Sequence, residues 1–132
     1  MKKLNVAIIG QGRSGRDIHG KFFKTPEGNE MFSVTAVVEI NEQRRMRAKE
    51  EYGCDVYASY TDLYGRQDID LVINATMSHT HPQITIDLLE HGFNVLCEKP
   101  AAKTVEQFDA MTAAAAKSGK YFNIFQQSRF AP

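Results

Sequence analysis

Short apolar runs alternate along this chain with longer stretches in which apolar residues return every third or fourth position. Leu4 to Ile9 is uncharged, rich in β-branched residues and ended by Gly10, which predicts a strand buried on both faces. A helix is predicted from about Arg13, with Ile18 and Phe22 four apart on one face, ending before Pro26. Phe32 to Glu39 (FSVTAVVE) predicts a second strand, and the TPEGNEMF segment that leads into it reads as a loop. Asn41 is placed to cap a helix that runs to about Tyr52 and stops at Gly53. DVYAS reads as a short third strand, and Thr61 to Tyr64 as a short helical turn.

The alternation continues in the second half. Asp70 to Met77 (DLVINATM) predicts a fourth buried strand. Pro82 then sits in the first turn of a helix that stacks Ile84 on Leu88 and closes at Gly92. Phe93 to Glu98 predicts a fifth strand. Thr104 and Gln107 read as a capping box before a helix ended by Gly119, with Val105, Phe108, Met111 and Ala115 as its inward stripe. Tyr121 to Phe125 predicts a sixth strand. Strands alternating with helices imply the α/β class: a doubly wound parallel sheet of six strands with helices on both faces. Ligands of such sheets lie beyond the carboxyl ends of the strands. Function is therefore sought at Gly10–Gly15, Glu39–Asn41, Ala75–His81 and Glu98–Pro100, all on one edge of the sheet.

Composition narrows the classes. The 132 residues suffice for one domain with a core. Sixteen basic and sixteen acidic residues cancel, leaving no footprint for nucleic acid or for an anionic membrane surface. No apolar run approaches the roughly 18 residues of a membrane span. Lys2 and Lys3 precede an apolar run, but it is too short for a signal peptide and no small-residue cleavage site follows. Cys54 and Cys97 lack metal or redox spacing, which points to free thiols, no metal and a cytoplasmic home. Cys97, inside an apolar strand, reads as an inert small hydrophobe. The RRMRAK run at Arg44–Lys49 is followed by Glu50 and Glu51 and reads as a solvated helix face.

The GQGRSG stretch matches G-x-G-x-x-G, a pattern with meaning only after a strand and before a helix, which is its setting here. Gly10 permits a sharp turn, Gly12 lets the backbone approach a pyrophosphate, and Gly15 lets the helix pack close to the sheet. Gln11, Arg13 and Ser14 complete the turn whose amides and helix end face the phosphates. Glu39 ends the second strand 24 positions after Gly15, where a carboxylate can accept from both hydroxyls of an adenine ribose. Its charge would repel a 2′-phosphate, favouring NAD over NADP. Arg44 or Arg45 could instead pair with such a phosphate or stack on adenine, with Ile40 beside them. Ala75, Thr76 and Ser78, at the mouth of the fourth strand, are placed to meet phosphate or ribose, or simply to cap the turn.

CEKPAAKTVEQFDAM, with DLVINATMSHTH and QSRFAP, resembles the glucose–fructose oxidoreductase and inositol dehydrogenase family (Gfo/Idh/MocA) from Lys3 to Pro132. The resemblance implies a Rossmann fold and hydride transfer between nicotinamide and a hydroxyl-bearing carbon of a sugar, inositol or related polyol. It implies that Lys99 contacts substrate and helps move its proton, that Pro100 fixes the backbone after it, and that Glu98 lies beside the cofactor. His81 matches a histidine common after the fourth strand, and His79 is a lesser candidate. Met77 stands where the family often has proline, and Ser128 where an arginine often precedes the one matched by Arg129.

The same resemblance implies a second α/β domain, which supplies a histidine acid/base and the contacts of a homo-oligomer. Residues 1–120 would be the dinucleotide-binding domain and 121–132 the last strand and the start of the crossing to the second. The chain is accordingly read as the amino-terminal part of a longer protein, close to inactive alone because half a site cannot exclude water. Two other readings stay open: an NAD(P)-binding sensor without chemistry, and methyl transfer from S-adenosylmethionine. The EKP stretch argues against the first, and the third glycine against the second.

Overall fold

The computed structural model describes residues 3–11, 21–76, 78–98 and 101–125. Its strands are β1 (Leu4–Ile9), β2 (Phe32–Val38), β3 (Asp55–Tyr57), β4 (Leu71–Asn74), β5 (Val95–Glu98) and β6 (Phe122–Phe125). They form one sheet in the order β3-β2-β1-β4-β5-β6, every neighbouring pair parallel. The chain steps outward from β1 to one edge, returns to the middle and steps outward to the other. That reversal, between β1 and β4, leaves a crevice at the carboxyl ends of the strands.

The helices are α1 (Lys21–Lys24), α2 (Pro26–Met31), α3 (Glu42–Tyr52), α4 (His81–Glu90) and α5 (Val105–Ser118), with 3-10 turns at Tyr60–Leu63 and Ser78–Thr80. Alternation along β1 divides the core. Ala7 and Ile9 pack with Leu63, Leu88, Leu89 and Phe93 on one face, while Val6 and Ile8 pack with Phe23 and Ile73 on the other. From Val6 to Ile9 neither face meets water, so that part of the strand reads as an unbroken apolar run, while Leu4 at its start is exposed. Each fully buried Leu or Ile contributes about 1.5–3 kcal/mol. Helix α3 starts and stops as its sequence predicts. Asn41 Oδ1 accepts from the Arg44 amide at 3.0 Å, and the Gly53 amide donates to the Lys49 carbonyl at 2.9 Å.

Four expectations need correction. The TPEGNEMF loop contains α2: Thr25 Oγ1 accepts from the Gly28 amide at 3.1 Å, and Pro26 occupies the first turn. The stripe proposed for α5 holds at Met111 and Ala115 and fails at its amino-terminal end. Met111 and Ala114 are buried and Ala115 partly so; Phe108 lies at the margin, its ring 6.1 Å from that of Phe122, and Val105 is 75% exposed. Two steps of three residues carry Val105 about 120° round the helix from Met111, which takes it off the packed face. The capping box is half formed. Thr104 Oγ1 accepts from the Gln107 amide, but Gln107 Oε1 reaches the Lys103 amide at 2.9 Å, one residue before the cap. Strand β4 ends at Asn74, earlier than expected: the Ala75 amide still reaches the Ile9 carbonyl at 2.9 Å, and beyond it Asn74 Oδ1 takes the Thr76 amide and hydroxyl in a local turn.

Candidate functional site

The carboxyl ends of β1, β2, β4 and β5 lie side by side and bring together the described parts of the four predicted stretches. Gly10 leaves β1 with φ +98°, and its amide donates to the Val38 carbonyl at 2.7 Å. A Cβ on Gly10 would lie 2.5 Å from the Ala75 carbonyl oxygen, so the turn after β1 rests directly on the turn after β4. The residue must be glycine for both reasons.

Glu39 follows β2 and reaches across to that turn. Its Oε1 accepts from the Gln11 amide at 2.8 Å and its Oε2 from the Asn41 amide at 2.7 Å. A carboxylate offers about four lone-pair directions; these two bonds leave room for the hydroxyls of a ribose. Arg45 Nη1 donates to the carbonyls of Glu39 and Ile40, at 2.8 and 3.1 Å, and Arg47 Nη2 donates to the Gln11 carbonyl at 3.0 Å. Ile40 is 86% exposed beside them. The Arg44 backbone caps onto Asn41.

The turn after β4 is built on a buried polar network. Asn74 is fully buried; its Nδ2 donates to Thr85 Oγ1 at 3.1 Å, and its Oδ1 accepts from Thr76 Oγ1 at 2.7 Å. Thr80 Oγ1 donates to Thr76 Oγ1 at 2.8 Å. His81 is 2% exposed and its Nε2 lies 2.8 Å from the Thr76 carbonyl oxygen, so the ring turns inward to brace this turn. His79 is exposed. The backbone of Ser78 opens the 3-10 turn before α4. Glu98, at the end of β5, is buried. Gly12, Arg13, Ser14, Gly15, Met77, Lys99, Pro100, Ser128 and Arg129 lie outside the described residues.

Sequence reasoning passed over Asn74, Thr85 and Arg47, and named Arg45 only as a phosphate or adenine partner. Asn74 had a signal, a polar amide closing an apolar strand. The arginines had none beyond a basic helix face.

Burial pushes the Cys97 thiol from an ordinary 9.0 up to about 12; the Thr85 hydroxyl beside it lowers the value and the Glu98 charge raises it. A thiol raised in the fold stays protonated there, so its contribution to stability is intact below pH 9 and is lost as pH climbs towards 12. Iodoacetamide at about pH 8 should leave Cys97 unmodified in the folded chain. Alkaline melting curves should fall less steeply between pH 9 and 12 in Cys97→Ala. Rapid labelling at Cys97 would show that this strand end is open.

The sequence pattern of the oxidoreductase family with the NAD-binding Rossmann fold matches residues 4–125. A 2,7-anhydro-N-acetylneuraminate hydratase of Mediterraneibacter gnavus is 33% identical over 137 residues, covering 99% of this chain and 35% of the relative. An inositol 2-dehydrogenase of Burkholderia cenocepacia is 30% identical, covering 89% of this chain and 34% of the relative. Among solved structures, the WlbA dehydrogenase of Chromobacterium violaceum, in complex with NADH and UDP-GlcNAcA, superposes with a TM-score of 0.90 at 31% identity, covering 98% of this chain and 36% of that one. The myo-inositol 2-dehydrogenase of Lactobacillus plantarum gives 0.85 at 26% identity, covering 98% and 38%. The chain spans about a third of the length of the curated relatives it matches. With its β3-β2-β1-β4-β5-β6 sheet and the glycine turn joined to an acid after β2, the chain belongs to the Gfo/Idh/MocA oxidoreductase family, in its NAD-binding Rossmann part.

Proposed function

We propose that this chain is the cofactor-holding part of a nicotinamide-dependent oxidoreductase acting on a hydroxyl-bearing carbon of a sugar, an inositol or a related polyol. The observation that carries the reading is the Glu39–Gln11 bond at 2.8 Å, which sets a carboxylate with spare acceptor capacity beside the glycine turn. Gly10 and Gln11, with Gly12, Arg13, Ser14 and Gly15, would take the diphosphate, and Glu39 the adenine ribose. Ile40 and Arg44 would flank the adenine. Ala75, Thr76 and Ser78 would face the second ribose, and Glu98 and Pro100 the nicotinamide end. Bound there, nicotinamide supplies or takes the hydride. Lys99 would touch substrate and stabilise the oxygen as its proton moves. The inward ring of His81 supports a bracing role over direct contact. Native assembly would form through the second domain, and a cytoplasmic home fits the same reading.

NAD is favoured over NADP. A 2′-phosphate would meet the Glu39 carboxylate, and Arg45 is committed to two backbone carbonyls, which leaves Arg44 as the rival partner for such a phosphate. Calorimetric titration should show NAD binding more tightly than NADP. No heat with either cofactor would remove the reading, and tighter NADP would reverse its specificity. The 33% identity to a protein named as a hydratase favours a second reading, with hydride removed and returned in one turnover. A sugar and polyol panel assayed both for reduced cofactor and for substrate loss separates the two: loss without cofactor change supports the hydratase type.

A further inference from the structure

Gln11 is held at both ends of its backbone by charged side chains from one strand–helix unit. Glu39 Oε1 takes its N–H at 2.8 Å, 28 positions along the chain, and Arg47 Nη2 donates to its carbonyl oxygen at 3.0 Å, 36 positions along. The side chain folds back as well, Nε2 donating to the Gly10 carbonyl at 3.2 Å, and the residue is 1% exposed. Charge and dipole agree at each end: the anion takes the donor, the cation takes the acceptor. A peptide group is planar, so a fixed carbonyl direction fixes the whole unit.

We propose that Arg47 is a positioning residue for the diphosphate-binding turn. With Glu39 it clamps the Gln11 backbone from outside, so that the ribose end and the diphosphate end of the site are coupled through β2 and α3. This rests on the cofactor reading above. An independent observation supports it. Gln11 Oε1 is buried without a hydrogen-bond partner among the described residues, and so is Arg47 Nε, which has only an ion pair to Glu51 Oε1 at 3.6 Å. A buried polar atom left without a hydrogen bond costs stability, and a partly exposed i,i+4 ion pair returns little of it. The contact is better explained by the direction it imposes than by the stability it adds.

The test uses the full chain with Arg47→Met, which keeps the stem and removes the donors, and Arg47→Lys, which keeps charge and one donor. Both are titrated by NMR with ADP and with adenosine, and the Gln11 amide exchange rate is read without ligand. Arg47→Met should weaken ADP about tenfold, which is about 1.4 kcal/mol, and change adenosine less than about twofold. Arg47→Lys should recover most of the loss, and Gln11 exchange should quicken in Arg47→Met. Equal losses for ADP and adenosine, or no loss, would overturn the clamp. If Arg47→Met does not fold, Arg47→Ala, which suits a helix position and also removes the donors, decides: an ADP-to-adenosine affinity ratio and a Gln11 exchange rate both unchanged from the parent chain would overturn the clamp, and a fall in the ratio would support it. If the parent chain binds no nucleotide, the cofactor reading fails, and unchanged Gln11 exchange in the variant without the donors overturns the clamp separately.

Discussion

Gly10→Ala should lower the melting temperature by about 10–20 °C and abolish NAD binding. Two penalties add. The backbone there has φ +98°, which costs an L-residue about 1–2 kcal/mol. The new methyl would also lie 2.5 Å from the Ala75 carbonyl oxygen, and that oxygen belongs to backbone on a neighbouring strand end, which cannot swing aside as a side chain can. Forcing such an overlap costs about 1–3 kcal/mol more. Gly53→Ala is the matched control. Gly53 has φ +61° at the end of α3, with nothing within 4 Å of its missing Cβ, so only the backbone penalty applies. Circular dichroism melts of the two variants decide the matter. Equal losses would mean that the turns after β1 and β4 are not in contact.

Glu39→Ala should weaken NAD by about ten- to a hundredfold, since bonds to a charged acceptor contribute about 1.5–3 kcal/mol. The variant also frees the Gln11 and Asn41 amides, so part of the loss comes from a loosened turn. Glu39→Gln separates the parts. It keeps an acceptor near Gln11 and removes the charge, so it should retain more NAD affinity than Glu39→Ala while the preference for NAD over NADP falls. Calorimetry with both cofactors reads this directly. Unaltered NAD affinity in Glu39→Ala would withdraw the ribose assignment.

What was legible in the sequence was local or periodic. Asn41 and Gly53 bracket α3 because a cap and a stop act within four residues. The strand pattern was clear because burial on two faces demands an unbroken apolar run. Gly10 and Glu39 were legible because a parallel sheet gathers its strand ends on one edge. Helix α2 was missed although Thr25 and Pro26 announce it, since the surplus length before β2 was read as loop. Val105 was misjudged because apolar spacing does not say where a helix meets its neighbour. Arg45, Arg47, Asn74 and the inward turn of His81 depend on which backbone carbonyl or hydroxyl lies opposite. That is set by packing between segments far apart in sequence, and no local rule reports it.

The place of β1 at the centre of the sheet has a temporal consequence. It leaves the ribosome ahead of the other five strands of this sheet, and its partner on one side arrives much later: Asn5 meets Asp70, 65 positions on. At roughly 5–20 residues per second, that wait is about 3–13 seconds. For that interval the nascent chain carries an apolar strand with one hydrogen-bonding edge open, which is the kind of segment that pairs wrongly or recruits a chaperone.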